Sequence, residues 1–313
     1  MILLLILAIL TAAVLYVLHY GYKLAFYNNE AHDDPYDFPK DDQNKAVEDR
    51  LCALLDEVTK IPFEEVSIMS HDGLKLYGRY YHVADGAPLE IQFHGYKGNA
   101  IRDFCGTQKI AREAGRNILL IDERCHGKSE GNTITFGVME RLDCLNWIQF
   151  ACERFGSVPI FLSGVSMGAA TVLMASELEL PNNVAGIIAD CPYSAPAKII
   201  RKVLGQDMGM PVKLVYPLIL LGGKLYGKFH LESASPEEAV KKAKVPILLI
   251  HGDDDRFVPW DMSREIHAAA PEKIEFHTIS GAGHALCYVV DPEKYHSIVH
   301  AFTKKCMETS KVR

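Results

Sequence analysis

The sequence predicts an α/β fold with a mostly parallel central sheet covered by helices on both faces. Two patterns carry this: a series of short apolar runs separated by helical stretches, and loops rich in glycine, histidine and aspartate directly after those runs. The runs cover residues 89–93, 118–121, 159–162, 186–189, 247–250 and 274–279. Continuously apolar strands indicate a sheet buried on both sides. In such sheets ligands gather at the carboxyl ends of the strands. Ahead of them, residues 64–68 and 74–80 flank the turn His71-Asp72-Gly73 and predict an antiparallel hairpin.

The chain of 313 residues is 49% hydrophobic and 23% charged, enough for one large domain plus an extra segment. Its formal net charge of −7 and the lack of a Lys/Arg-rich block speak against a nucleic-acid partner. The 8 cysteines form no C-x-x-C pair, so neither a zinc nor a redox site is indicated, and they read as buried thiols. No HExxH or GxxxxGK[ST] is present, so no metal and no cofactor is expected.

Residues 2–18 are apolar apart from Thr11 and Tyr16. A membrane-spanning helix needs about 17–25 such residues. No Lys or Arg precedes the run, and the small residues Thr11, Ala12 and Ala13 lie inside it, which disfavours a cleaved signal peptide. Tyr16, Tyr20, Tyr22 and Tyr27 gather at its end, as at a membrane interface. The reading is a single-pass transmembrane anchor over residues 1–22, with a cleaved signal or a buried core helix as alternatives. Lys23, after the run, points to a catalytic domain on the cytoplasmic side of the cell membrane. Residues 23–60 read as a linker and a short helix: 28–44 are polar with Pro35 and Pro39, and 45–58 carry Val47, Leu51, Leu54 and Leu55 on one side. The catalytic domain is expected over residues 61–313.

Gly164-Val165-Ser166-Met167-Gly168 follows the run 159–162 and precedes a helical stretch. This is G-x-S-x-G in a strand–turn–helix context, which exposes the Ser166 hydroxyl at a helix N-terminus. A serine hydroxyl needs a base to take its proton. His284, one of 13 histidines, lies between Gly283 and Ala285 in a loop after the last run and comes after Ser166 in the chain, as this order of triad requires. The acid should precede it, in His251-Gly252-Asp253-Asp254-Asp255. By chemistry alone, any of the three carboxylates can accept the imidazole N–H. The loop His94-Gly95-Tyr96-Lys97-Gly98-Asn99 follows the run 89–93. Its Tyr96 N–H, with the Met167 N–H, is the expected oxyanion hole.

Together these motifs resemble the α/β-hydrolase superfamily across roughly residues 62–303. Asp122-Glu123-Arg124-Cys125-His126-Gly127-Lys128-Ser129-Glu130-Gly131 is similar to the family's D-x-R-G-x-G-x-S-x-G loop, with Cys125 where glycine is common. His251-Gly252-x-x-Asp255-x-x-Val258-Pro259 resembles the family's acid motif, and that resemblance selects Asp255. The arrangement is most similar to bacterial membrane-anchored esterases or general hydrolases with a short lid. The resemblance implies an α/β-hydrolase fold in which residues 195–235 form a helical lid over the site. That segment is apolar and broken by Gly and Pro. It fits an acyl or aromatic ester group, lipid-derived and near the membrane, or a lid packed on the core without bearing on specificity.

The expected function is hydrolysis of a small-molecule carboxylic ester through an acyl-enzyme, by Ser166, His284 and Asp255. Thioester or peptide cleavage by the same triad is the near alternative. A non-catalytic membrane-tethered interaction protein is the remote one, since a retired scaffold would have lost a triad member or one of the elbow glycines, Gly164 and Gly168.

Overall fold

The computed structural model describes residues 1–30 and 32–310. The helices are α1 (Ile2–Ala25), α2 (Asp42–Val58), α3 (Ala100–Asp103), α4 (Thr107–Glu113), α5 (Glu140–Phe155), α6 (Met167–Ala175), α7 (Pro196–Lys202), α8 (Val212–Gly222), α9 (Pro236–Ala239), α10 (Asp261–Ala269), α11 (Cys287–Val290) and α12 (Pro292–Ser310). The strands are β1 (Glu64–Met69), β2 (Lys75–Tyr81), β3 (Leu89–Phe93), β4 (Asn117–Ile121), β5 (Ile160–Val165), β6 (Val184–Asp190), β7 (Ile247–Gly252) and β8 (Ile274–Ile279). They form one sheet in the order β1-β2-β4-β3-β5-β6-β7-β8. The pairs β1–β2 and β2–β4 are antiparallel and the others parallel.

Every residue of β3, β4, β5, β6 and β7 is buried, because helices cover both faces. The hairpin strand β1, at the sheet edge, is largely exposed. Helix α2 buries Val47, Leu51, Leu55 and Val58, one face at helical spacing, and Asp41 caps it by accepting from the Gln43 and Asn44 amides at 2.9 Å each. Cys105, Cys125, Cys144, Cys191 and Cys287 are buried, and burial pushes the Cys105 and Cys125 thiols up to about 12, so they remain uncharged.

Among the described residues α1 is the one helix long and apolar enough to cross a membrane, with a mean hydropathy of 2.7 over its best window, of which 6% is buried. That exposure sets aside the core-helix alternative. The helix also differs from expectation at its far end. It continues to Ala25, and Leu18, Gly21, Tyr22 and Phe26 are buried against α8 and the loops around it. Tyr22 is part of that contact and not of an exposed aromatic belt: its hydroxyl lies 2.7 Å from Thr133 Oγ1. Tyr16 and Tyr20 remain exposed.

The stretch after α1 is likewise no free spacer. Tyr27 bridges to Thr133, the Ile134 amide donates to the Phe26 carbonyl at 2.8 Å, and buried Asn28 donates to the Cys125 carbonyl at 2.7 Å. Further on, Arg102 donates to the Asp37 carbonyl at 2.6 Å. Polar composition and prolines mark this stretch as loop, but they do not reveal that its backbone is bonded to the domain. Cys125, at the glycine-favouring position of its loop, adopts φ 69°, the left-handed conformation that glycine takes without strain.

The α1–α8 contact is close because Gly222 has no side chain: a Cβ there would lie 2.5 Å from the Leu18 carbonyl oxygen. Gly222→Ala must therefore push two helices apart. It is expected to lower stability by about 1–3 kcal/mol, read as a lower unfolding midpoint of the full-length protein in detergent.

Candidate active site

Strand β5 ends at Val165 and α6 begins at Met167, so the chain reverses on Ser166 alone. Ser166 has φ 55° and ψ −113°, a strained conformation for a residue with a side chain. The glycines on either side are sterically required. A Cβ on Gly164 would lie 2.3 Å from the Gly168 carbonyl oxygen, and one on Gly168 would lie 1.9 Å from the Phe93 carbonyl oxygen. As the first residue of α6, Met167 carries an amide with no acceptor inside the helix.

The structure brings Ser166, His284 and Asp255 into series. Ser166 Oγ is 2.9 Å from His284 Nε2, and His284 Nδ1 is 2.7 Å from Asp255 Oδ2. The neighbouring carboxylates are used elsewhere. Asp253 accepts from the Gly281 amide at 2.6 Å, and Asp254 pairs with Arg256 at 3.0 Å and accepts from Gln43 at 2.9 Å. Asp255 is fixed because its Oδ1 accepts from the Phe257 and Val258 amides at 2.9 and 2.8 Å. His251 Nε2 lies 3.2 Å from Asp255 Oδ2 and 2.9 Å from the Val258 carbonyl, while its Nδ1 is 2.7 Å from Ser263 Oγ. With two acceptors at Nε2, the ring proton belongs there, and Nδ1 accepts from Ser263. The roles of His251 and Ser263 were not anticipated from the sequence, although His251 opens the acid motif.

The loop after β3 is folded onto the serine. The Gly98 amide donates to the Gly95 carbonyl at 3.0 Å, closing a turn with Tyr96 and Lys97 in the middle, and Lys97 has φ 49°. The Gly95 amide donates to Asp103 at 2.8 Å. Two buried histidines brace the turn. His126 Nε2 accepts from the Lys97 amide at 3.0 Å, and His94 Nε2 accepts from the Glu123 amide at 3.0 Å. Each accepts at Nε2 and donates from Nδ1 to a carbonyl, Arg124 at 2.9 Å and Gly95 at 2.8 Å, so both are neutral with fixed tautomers. Burial holds both below the usual histidine range. These braces and Asp103 carry no marker in the sequence beyond their place beside the motifs.

The family described as serine aminopeptidase, S33, matches residues 91–225. The match and the fold support a member of the α/β-hydrolase superfamily. Among relatives, the uncharacterized protein YqkD of Bacillus subtilis is 25% identical over 225 residues, 71% of this chain and 73% of that protein. The lysophosphatidylserine lipase ABHD12 of Danio rerio is 24% identical over 204 residues, 61% of this chain and 50% of that one. Among solved structures, the Pyrococcus furiosus esterase Pf2001 superposes with a TM-score of 0.64 at 23% identity, covering 80% of this chain and 94% of that one. This last likeness concerns the fold.

In this α/β hydrolase a cavity of about 230 Å³ opens beside Ser166. The lid between β6 and β7 supplies Ile199, Leu204, Met208 and Ile219 to its walls, and α1 supplies Leu24 and Ala25. The Tyr96 hydroxyl donates to the Ala25 carbonyl at 3.1 Å, so the loop that faces the serine is tied to the end of α1.

The electrostatics of the Ser166, His284 and Asp255 series are set by competing effects. Burial disfavours the ionised Asp255 carboxyl, but the imidazoles of His284 and His251 beside it outweigh this and hold it well below the usual carboxylate range. Burial likewise disfavours the His284 cation, and the Asp255 carboxylate outweighs it, so His284 titrates above its ordinary 6.5. The His284 ring signals are therefore expected to titrate above pH 6.5 in NMR spectra. Asp255→Asn removes the stabilising charge and leaves the burial, so the midpoint should move to lower pH.

Proposed function

We propose that this chain is a serine hydrolase, held at the cell membrane by α1, that cleaves a lipophilic carboxylic ester through an acyl-enzyme. The observation that carries the reading is the unbroken contact from the Ser166 hydroxyl through His284 to Asp255. Ser166 Oγ attacks the ester carbonyl carbon while its proton passes to His284 Nε2. The amides of Tyr96 and Met167 hold the oxyanion, a pair of donors of which each typically contributes about 3–4 kcal/mol. Collapse breaks the bond to the leaving oxygen, which takes the proton from His284. Water then gives a proton to His284 as it attacks the acyl carbon, and the acid departs with Ser166 restored. Asp255 stabilises the imidazolium in both halves.

The lipophilic substrate class follows from the cavity, whose walls are almost wholly apolar. Its modest volume suits a single acyl chain or one aromatic ring. A relative that is a lysophosphatidylserine lipase supports a lipid ester. The serine aminopeptidase family match favours a second reading, peptide cleavage with the same triad. Against it, the cavity walls contain no carboxylate to pair with a peptide's α-ammonium group.

A fluorophosphonate probe is expected to label the wild-type protein and to leave Ser166→Ala unlabelled; labelling that survives the substitution would remove Ser166 from the mechanism. Asp255→Asn should lower kcat by about 10³–10⁴-fold, with Asp253→Asn and Asp254→Asn close to wild type. Among p-nitrophenyl esters graded by chain length, kcat/KM should rise with acyl length to a maximum and fall once the chain outgrows the cavity. Aminoacyl p-nitroanilides should turn over far more slowly than the best ester; the reverse order would favour the peptidase reading. For every good substrate, kcat/KM should be lost as pH falls through a midpoint above 6.5, because the base must be neutral.

A further inference from the structure

Helix α8 and the turn after it run beside α1 in the opposite direction. Ile219 packs on Gly21, Gly222 packs on the Leu18 carbonyl, and the Tyr226 hydroxyl donates to the Leu15 carbonyl at 3.1 Å. The outer face of this stretch is apolar and open: Leu214, Leu218, Leu221 and Leu225, at helical spacing, are 37% to 71% exposed. The charge pattern is as one-sided. In a protein of net charge −7, residues 208–231 contain Lys213, Lys224 and Lys228 and no Asp or Glu. All three lysines are exposed.

A length argument places this face. The exposed part of α1, residues 2–17, is roughly 24 Å long at about 1.5 Å per residue. The hydrocarbon core of a bilayer is about 30 Å thick. If α1 spans, the missing ~6 Å, about four residues of helix, comes from the stretch ending near Gly21, where α8 is packed. The lid then cannot stay clear of the lipid.

We propose that the outer face of α8 and the turn after it dock into the bilayer that α1 crosses, with Leu221 and Leu225 among the acyl chains, Leu218 at their edge, Lys224 and Lys228 reaching out to anionic headgroups, and Lys213, further from the bilayer along α8, facing those headgroups from the aqueous side. This deepens the preceding reading and rests on its membrane-spanning α1. Apolar burial and attraction of the lysines to anionic lipid act together. One consequence concerns the substrate. Leu24 and Ala25, which wall the cavity beside Ser166, lie only about 5 Å further along α1 than Gly21. The reacting ester therefore belongs to an amphiphile presented at the headgroup boundary.

The test uses the full-length protein in phosphatidylcholine vesicles containing phosphatidylglycerol. Leu221→Trp adds an indole whose emission, after subtraction of the wild-type signal from Trp147 and Trp260, should be blue-shifted and quenched by lipids brominated on the acyl chains. An introduced indole with water-like emission, in protein that resists carbonate washing, overturns the docking and leaves the anchor intact. A blue-shifted indole that brominated lipid does not quench marks a protein partner there, such as a second copy of the chain, and also overturns it. Release of the protein by carbonate overturns the spanning helix and the docking with it. Leu221→Glu supplies a functional readout. It should keep fluorophosphonate labelling and turnover of a short soluble ester, and lose most turnover of a long-chain ester held in the vesicles. Equal turnover of both esters would overturn the proposal. The indole readout does not depend on esterase activity, so it stands or falls apart from the assigned reaction.

Discussion

The site depends on the distance between the start of α6 and the end of β3. Where Gly168 sits, any side chain would lie 1.9 Å from the Phe93 carbonyl oxygen. The helix can come this close only because that position is glycine, and the chain can enter it so abruptly only because Ser166 accepts a left-handed φ. Such a conformation costs about 1–3 kcal/mol. It is held by the parallel register of β3, β5 and β6, by the Ser166 amide donating to the Asp190 carbonyl at 2.8 Å, and by the fully buried α6 behind it. The same approach sets the Met167 amide beside the loop that carries the Tyr96 amide. The hydroxyl and the Met167 amide are thus placed by one backbone contact.

Around that contact, histidines of the same type do opposite things because their surroundings differ. His284 faces a carboxylate and titrates above its ordinary range, so it can carry a proton between two partners. His94 and His126 are buried against amides and carbonyls and titrate below it. They serve as uncharged struts between the loop after β3 and the loop after β4. His251 stands behind the acid, with Ser263 at its far nitrogen. A mobile proton is useful at one of these sites; at the others a fixed tautomer keeps the loop geometry.

These differences explain what the sequence could and could not convey. The buried strands β3 to β7 were legible because burial on both faces demands continuous apolar runs, and Ser166 was legible because only glycines fit on either side of it. His284 followed from chain order. The acid was not fixed by chemistry, since Asp253, Asp254 and Asp255 offer the same group; what separates them is where the Phe257 and Val258 amides point. The motif resemblance, and not the residue type, picked out Asp255. The end of α1 was misread for a similar reason. An apolar face looks the same whether it meets lipid or protein, so Tyr22 and Phe26 gave no sign that they pack on the lid. Nor does polar composition show that Asn28 is bonded to the loop at Cys125.

The packing of the end of α1 bears on the site. A helix ends with carbonyls that have no partner inside it, and here the Ala25 carbonyl accepts from the hydroxyl of Tyr96, the residue whose amide is the proposed oxyanion donor. The Tyr96 ring also stacks on Phe136, 5.0 Å between centroids, and Phe136 meets Phe26 edge-on at 6.0 Å. A displacement of α1 relative to the domain would pull on Tyr96 through both its hydroxyl and its ring. The backbone turn that carries its N–H is braced at Lys97 by His126 and at Gly95 by Asp103, and these bonds oppose such a pull. Helix α1 is therefore a wall of the site as well as the proposed anchor. Its last two residues shape the cavity, and the Ala25 carbonyl helps to set the loop that faces Ser166.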